Sequence, residues 1–417
     1  MANSKSIGLF RKFQLFVLSI GPGLFIIGYN IGTGSVTSMA STGAEYGMAL
    51  TIPLVLSCIF TYILIVVFGK YTLVTGDTII HSYKKHFGKL VGLFVLVALI
   101  FTEAVGSVGV MAIVTQVTQE WTRPLTASGN GIDPIYSTMG FGALLFSLLW
   151  NGKQNFFEKV LAIFVGIMGL SFIVTMFMVI PDPSQVLSGI VSGMPNESGA
   201  FLLVASMVGT TMGAVIYVVR SVLIKGKGWN LKHLRYEKRD AKVSVIVMFV
   251  LSISVMAAAA GTLYQEGIKV DNAIDMVKLL EPFAGRFAIS IFVGGILAAG
   301  LSSLFPHIML APMLLADYNG ENPNFTSATN RLISLGIIML SFLVPIFGGE
   351  PVFIMIISQV FIAVITPVVI LLMLILMNRE ELVGKHKLTK MKNILVGFIL
   401  IFSLLMAVFG VIGIFGI

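Results

Sequence analysis

The stretch GYNIGTGSVTSMA, residues 28–40, interrupts an apolar run that begins at Phe13. Gly28, Gly32 and Gly34 fall within it, beside the hydrogen-bonding side chains of Asn30, Thr33, Ser35 and Thr37. Glycine in a helix interior costs about 1 kcal/mol relative to alanine. Backbone and side-chain polar groups in hydrocarbon must also find partners inside the protein. A helix running straight across a membrane gains nothing from this composition. A helix that stops halfway does, so the stretch predicts an interruption at Gly32–Ser35.

Of 417 residues, 57% are hydrophobic and 11% charged, with a mean hydropathy of +0.98. Soluble domains carry about 25% charged residues. Apolar stretches of roughly 20 residues, enough to cross about 30 Å of hydrocarbon, recur from end to end. The expected fold class is therefore an all-α polytopic membrane protein. The first apolar run passes into the glycine stretch without a small-residue cleavage pattern, so it is not read as a removable signal. Cys58 is the single cysteine, which excludes disulfides within the chain and thiolate metal clusters.

Eleven spans are predicted at about 13–47, 49–69, 90–115, 136–151, 158–180, 200–224, 243–264, 285–316, 331–348, 351–377 and 393–416. With the N-terminus inside, the inner connections hold 22 of the 27 Lys and Arg residues and the outer ones four: Arg123, Lys269, Lys278 and Arg286. Arg220 alone falls within a span. This asymmetry follows the positive-inside rule, so the net charge of +8 reports topology in a cell (inner) membrane, not a nucleic-acid surface. The odd span count puts the C-terminus outside. No connection is long enough for a soluble domain. DNAIDMVKLLEPF (271–283) reads as an interfacial helix or outer cap, and SYKKHFGK (82–89) and the charges at 232–242 as solvated cytoplasmic faces. A monomer is expected.

A second small, polar cluster, GTTMGA (209–214), lies in the sixth span. Transporters place pairs of interrupted helices in matching halves, so that half-helix ends face a substrate near the midplane. Close helix packing by small residues is the simpler use of one such cluster. Two, at the first span of each half, predict a binding site within an inverted five-plus-five repeat. Residues 1–180 would form the first repeat, 200–377 the second, and 378–417 an additional span.

With these segments in view, the chain resembles the Nramp family of proton-coupled divalent-metal transporters. The resemblance lies in GPGLFIIGYNIGTGS and GAEYGM (21–48), VTGDTIIHSYKKHFGK, TEAVGS (102–107), GTTMGAVIYVVRSVL (209–223), LAAGLSS (297–303) and SQVFIAVITP (358–367). It implies a leucine-transporter-type fold with broken first and sixth helices, and inward, ion-coupled transport. The family's site chemistry carries over only in part. Anchored on GAEYG, its Asp-Pro-Gly-Asn falls on Gly32-Thr33-Gly34-Ser35, so the metal-binding Asp is Gly32 and the ligand Asn is Ser35. Its Met-Pro-His falls on Met212-Gly213-Ala214, keeping Met212 and losing the histidine. Glu103 matches a glutamate on the family's proton route, whereas an Asp one turn earlier is Ile100. Gln359 matches a position near the ion.

A desolvated divalent cation needs several donors and an anionic charge to offset its lost hydration. Asn30, Gly32, Thr33, Gly34, Ser35, Gly209, Thr210, Thr211, Met212 and Gln359 are the candidate substrate-binding residues, and none is anionic. The expected function is accordingly a secondary-active, alternating-access transporter of a small polar solute. A divalent metal cation is the family's alternative, followed by a non-transporting sensor and a channel. Glu103, Arg220, His307, Ser302 and Ser303 are candidates for coupling or gating. The coupling ion is expected to be a proton, with sodium near Ser302 and Ser303 as the alternative. Arg220 is expected to snorkel toward headgroups or to pair with an acid, and Pro306 and Pro312 to break or kink the eighth span. There is no phosphate-binding loop, nucleophile–base set or haem-ligand pair, so neither an enzyme nor a cofactor is expected.

Overall fold

A peptide group in hydrocarbon has no water to bond, so each apolar run closes its hydrogen bonds within a helix. The computed structural model follows this rule. It describes residues 27–29, 32–150, 193–272 and 281–416, together with 160, 163–164, 166–167, 169–174, 177, 184, 187, 189 and 191. The elements are α1 (Thr33–Tyr46), α2 (Thr51–Thr75), α3 (Ile79–Phe87), α4 (Lys89–Thr122), α5 (Pro134–Trp150), α6 (Ser198–Met212), α7 (Ala214–Gly226) and α8 (Leu234–Glu266). After these come α9 (Glu281–Asn319), α10 (Ala328–Leu340), α11 (Leu343–Phe347), α12 (Pro351–Leu376) and α13 (Lys390–Phe415). Among the described residues, eight helical stretches are long and apolar enough to span a bilayer, and α5 is a shorter apolar helix.

Where large apolar side chains face outward, the surface is that of a membrane protein. Helix α13 exposes Ile394, Phe398, Ile401 and Leu405 at helical spacing, while Val396, Ile399 and Met406 turn inward. A soluble helix would put polar residues on the outer face. Inside, α1 lies along α8, α9 runs beside α4, and α12 packs on α4, α6 and α13. These helices form the wall around the two interruptions.

Several expectations are corrected. The eighth span is neither broken at Pro306 nor at Pro312: α9 is continuous through both. Proline removes one backbone hydrogen bond each time, and near Pro312 the carbonyl of Ile308, four residues back, lies 3.5 Å from the Ser334 hydroxyl. The ninth span is split into α10 and α11 by a turn at Ser341–Phe342. The segment at 82–89 is not merely a solvated face. In α3, Ile79, Ile80, Ser82 and Tyr83 are buried, and the Asp317 carboxylate accepts the Ile80 and His81 amides at 3.2 and 3.3 Å. The Tyr83 hydroxyl donates to the Val369 carbonyl at 2.6 Å. An anion on the first amides of a helix is favoured by the positive end of its dipole. Residues 1–26, 151–159, and 273–280 of the expected outer cap lie outside the described residues, as does much of the fifth span.

Candidate functional site

The first interruption is present, and it is shorter than the composition suggests. Residues 27–29 are helical, and α1 restarts at Thr33 with Gly32 extended at its N-cap (φ −70°, ψ −170°). Thr33, Gly34 and Ser35 therefore lie inside the first helical turn instead of in an unwound loop. Their amides still lack intrahelical acceptors, since the first such bond at this end runs from Val36 to the Gly32 carbonyl (3.1 Å). Among the described residues, no side chain caps this end. Asn30 lies outside the described residues.

The second interruption is a single residue. Gly213, at φ −65° and ψ 144°, separates α6 from α7, so Gly209, Thr210, Thr211 and Met212 are helical, contrary to the expected unwound segment. The groups released there have specific partners. The Thr61 hydroxyl donates to the Thr211 carbonyl at 2.7 Å, and the Tyr217 hydroxyl to the Met212 carbonyl at 3.1 Å. The Ala214 amide donates to the Thr366 hydroxyl at 2.9 Å. Thr211 also bonds Ser57 through its hydroxyl, at 2.7 Å.

Gln359 of α12 packs against both glycine segments, through its side chain at one and its backbone at the other. A β-carbon added at Gly34 would lie 2.5 Å from the Gln359 amide nitrogen, and one added at Gly209 would strike the Gln359 carbonyl. Gln359 thus sits between both glycine segments and is itself 5% exposed. Ser35 faces Ser252 of α8 (Oγ–Oγ 3.3 Å), and the buried Thr33 hydroxyl has no hydrogen-bond partner among the described residues. Met212 is buried within α6. The site is small, polar and free of carboxylate at Gly32 and Ser35.

Beside the first interruption lies a titratable pair. Glu103 of α4 accepts the Tyr29 hydroxyl at 2.6 Å, and its second oxygen is 3.8 Å from His307 Nε2. His307 Nδ1 is 2.7 Å from the Ser303 carbonyl. Ser302 is bonded to the Ala299 carbonyl at 2.9 Å and reaches the Gly28 carbonyl at 3.5 Å. Arg220, two turns along α7 from the break, does not snorkel. It is 1% exposed and bonds Glu237 at 2.6 and 3.0 Å and Asp240 at 2.7 Å. These acids sit in the stretch expected to be a solvated face, and both are buried. Their spacing of three places both on one face of α8, a signal hidden by the basic residues around them. Gly106, which leaves room for His307, was also missed, although it lies on the same helix face as Glu103.

A family model described as natural resistance-associated macrophage protein-like matches residues 23–413. The divalent metal cation transporter MntH of Clostridium acetobutylicum is 26% identical over 241 residues, 55% of this chain and 54% of the relative. The natural resistance-associated macrophage protein 2 homolog of Dictyostelium discoideum is 24% identical over 401 residues, 92% of this chain and 61% of the relative. The chain thus spans between half and two thirds of the length of these two relatives. Among solved structures, a manganese transporter of Eremococcus coleocola superposes with a TM-score of 0.75 at 12% identity, over 99% of this chain and 88% of that one. A sodium-coupled sialic acid symporter superposes with a TM-score of 0.65 at 12% identity, over 95% of this chain and 90% of that one. The interrupted helices and the shared architecture are thus those of the leucine-transporter type. The chain belongs to the Nramp family.

Proposed function

We propose that the chain is a secondary-active transporter that works by alternating access and carries a divalent metal cation, driven by protons, across a cell membrane with its N-terminus on the cytoplasmic side. The observation that carries this reading is that Gln359 packs against Gly34, in the first turn after one interruption, and against Gly209, one turn before the other at Gly213. Half-helix ends aimed at one enclosed point are the arrangement by which this fold exposes a site first to one side of a membrane and then to the other. The divalent metal cation transporter MntH of Clostridium acetobutylicum supports a metal cargo.

The small polar solute expected from the loss of carboxylate at Gly32 finds no support among the relatives named above. Sharing a fold with a sialic acid symporter at 12% identity adds nothing to substrate assignment. The metal reading has one physical demand. A double charge near the bilayer centre requires compensation, and Gly32, Ser35, Met212 and Gln359 offer only neutral donors. A carboxylate that adjoins the first interruption is Glu103, through Tyr29.

Reconstituted into proteoliposomes with an inward proton gradient, the protein is expected to accumulate Mn2+ saturably, above protein-free vesicles. The same vesicles serve for a panel of labelled amino acids and sugars. Uptake of one of these without uptake of Mn2+ would reverse the assignment.

A further inference from the structure

We propose that the negative charge absent at Gly32 is supplied from across the pocket, and that Glu103 and His307 together ligate the divalent cation beside the first helix interruption. The inference rests on the metal reading above and names the site that serves it.

The argument starts with the imidazole. A carbonyl oxygen can only accept, so the 2.7 Å contact between His307 Nδ1 and the Ser303 carbonyl places a proton on Nδ1. In the neutral ring Nε2 then carries a lone pair. Metal-binding histidines are held in this way, with the other ring nitrogen donating to a backbone carbonyl or a carboxylate. Nε2 lies 3.8 Å from Glu103 Oε2. The Tyr29 hydroxyl holds the other carboxylate oxygen, leaving Oε2 fully buried with no hydrogen-bond partner among the described residues. Two acceptors therefore lie close together in the buried interior, and one of them, Oε2, is without a partner among the described residues. Buried acceptors are nearly always satisfied, and a cation held by both would satisfy Oε2.

The spacing fits an ion. A metal about 2.1 Å from each ligand atom sets adjacent ligands roughly 3.4 Å apart when tetrahedral and roughly 3.0 Å when octahedral, so a side-chain movement of under about 1 Å closes the site. Imidazole with carboxylate suits divalent transition metals. Water and pocket carbonyls would complete the shell. The Gly28 carbonyl, 3.5 Å from the Ser302 hydroxyl, lies just before the interruption.

Two glycines make the arrangement possible. A β-carbon at Gly106 would lie 2.7 Å from Nε2, so only glycine leaves the edge of the imidazole free. A β-carbon at Gly32 would collide with the Ser303 side chain. The residue that orients His307 thus fills the space a carboxylate at position 32 would need. The anion has changed helices.

The test measures Mn2+ binding by calorimetry on the purified full chain, with Glu103→Gln and His307→Gln variants. Pulsed electron paramagnetic resonance of the bound ion provides a second readout. Wild type is expected to bind Mn2+ and to show nitrogen modulation from one imidazole. Each variant is expected to lose at least tenfold in affinity, and His307→Gln to lose the nitrogen signal. If one variant aggregates, the other reads the same contact from its opposite side. Wild-type affinity in both variants, or Mn2+ bound without nitrogen modulation, overturns the site while leaving the metal reading intact. Wild type that binds none of Mn2+, Fe2+ and Zn2+ overturns the metal reading, and the site with it.

Discussion

Arg220→Gln is expected to cost about 3–5 kcal/mol of folding stability, the range for removing one partner of a buried ion pair. The residue is 1% exposed and is held by two carboxylates, Glu237 at 2.6 and 3.0 Å and Asp240 at 2.7 Å. Removing the guanidinium leaves two buried acids facing each other, and at least one must take up a proton. The intact cluster need not be a large source of stability, because desolvating three charges offsets most of their attraction. That asymmetry makes the prediction specific. Arg220→Gln alone should melt far below wild type in detergent, whereas Arg220→Gln combined with Glu237→Gln and Asp240→Asn should recover much of the loss. A single variant that melts like wild type would show that the cluster is not what holds α7 against α8.

Gly209→Ala is expected to destabilise the protein even though alanine is the better helix former. In a helix interior the exchange gains about 1 kcal/mol. Here the added methyl would run into the Gln359 carbonyl, part of the rigid backbone of α12, so the helices must part. Overpacking of this kind costs about 1–3 kcal/mol, and the steric cost wins. Gly336 of α10 is the control, since nothing lies within 4 Å of a β-carbon there. Gly336→Ala should be neutral or slightly stabilising by thermal melting in detergent. Equal behaviour of the two variants would mean that α6 and α12 do not approach as closely as Gln359 requires.

The membrane class, the helical content and the two interruptions can be read from composition alone, because few compositions other than a membrane helix's are this apolar, and glycine clusters within one are costly. Their extent cannot. Thr33, Gly34 and Ser35 carry unbonded amides and helical geometry together, since the first turn of any helix leaves its amides free. Sequence composition signals the free amides and is silent on the dihedral angles.

Contacts between distant segments were hidden more deeply. Glu237 and Asp240 lie among Lys238, Arg239 and Lys242, so the run reads as a solvated face until Arg220 is seen between the acids. In α3, the apolar Ile79, Ile80 and Tyr83 were outweighed by Lys84, Lys85 and His86. At the candidate site, Glu103 and His307 were each conspicuous as ionisable groups in apolar helices. Their pairing depends on α4 and α9 lying side by side, a matter of topology that neither helix encodes by itself.

The most direct test of alternating access at the interruptions uses the unpartnered Thr33 hydroxyl as a reporter. In a Cys58→Ser background, Thr33→Cys is the chain's sole thiol. It is treated in oriented vesicles with a membrane-impermeant thiol reagent applied to one face or the other. The account predicts labelling from both faces, with the balance between them shifted by Mn2+. Labelling from one face alone under every condition, or from neither, would contradict it.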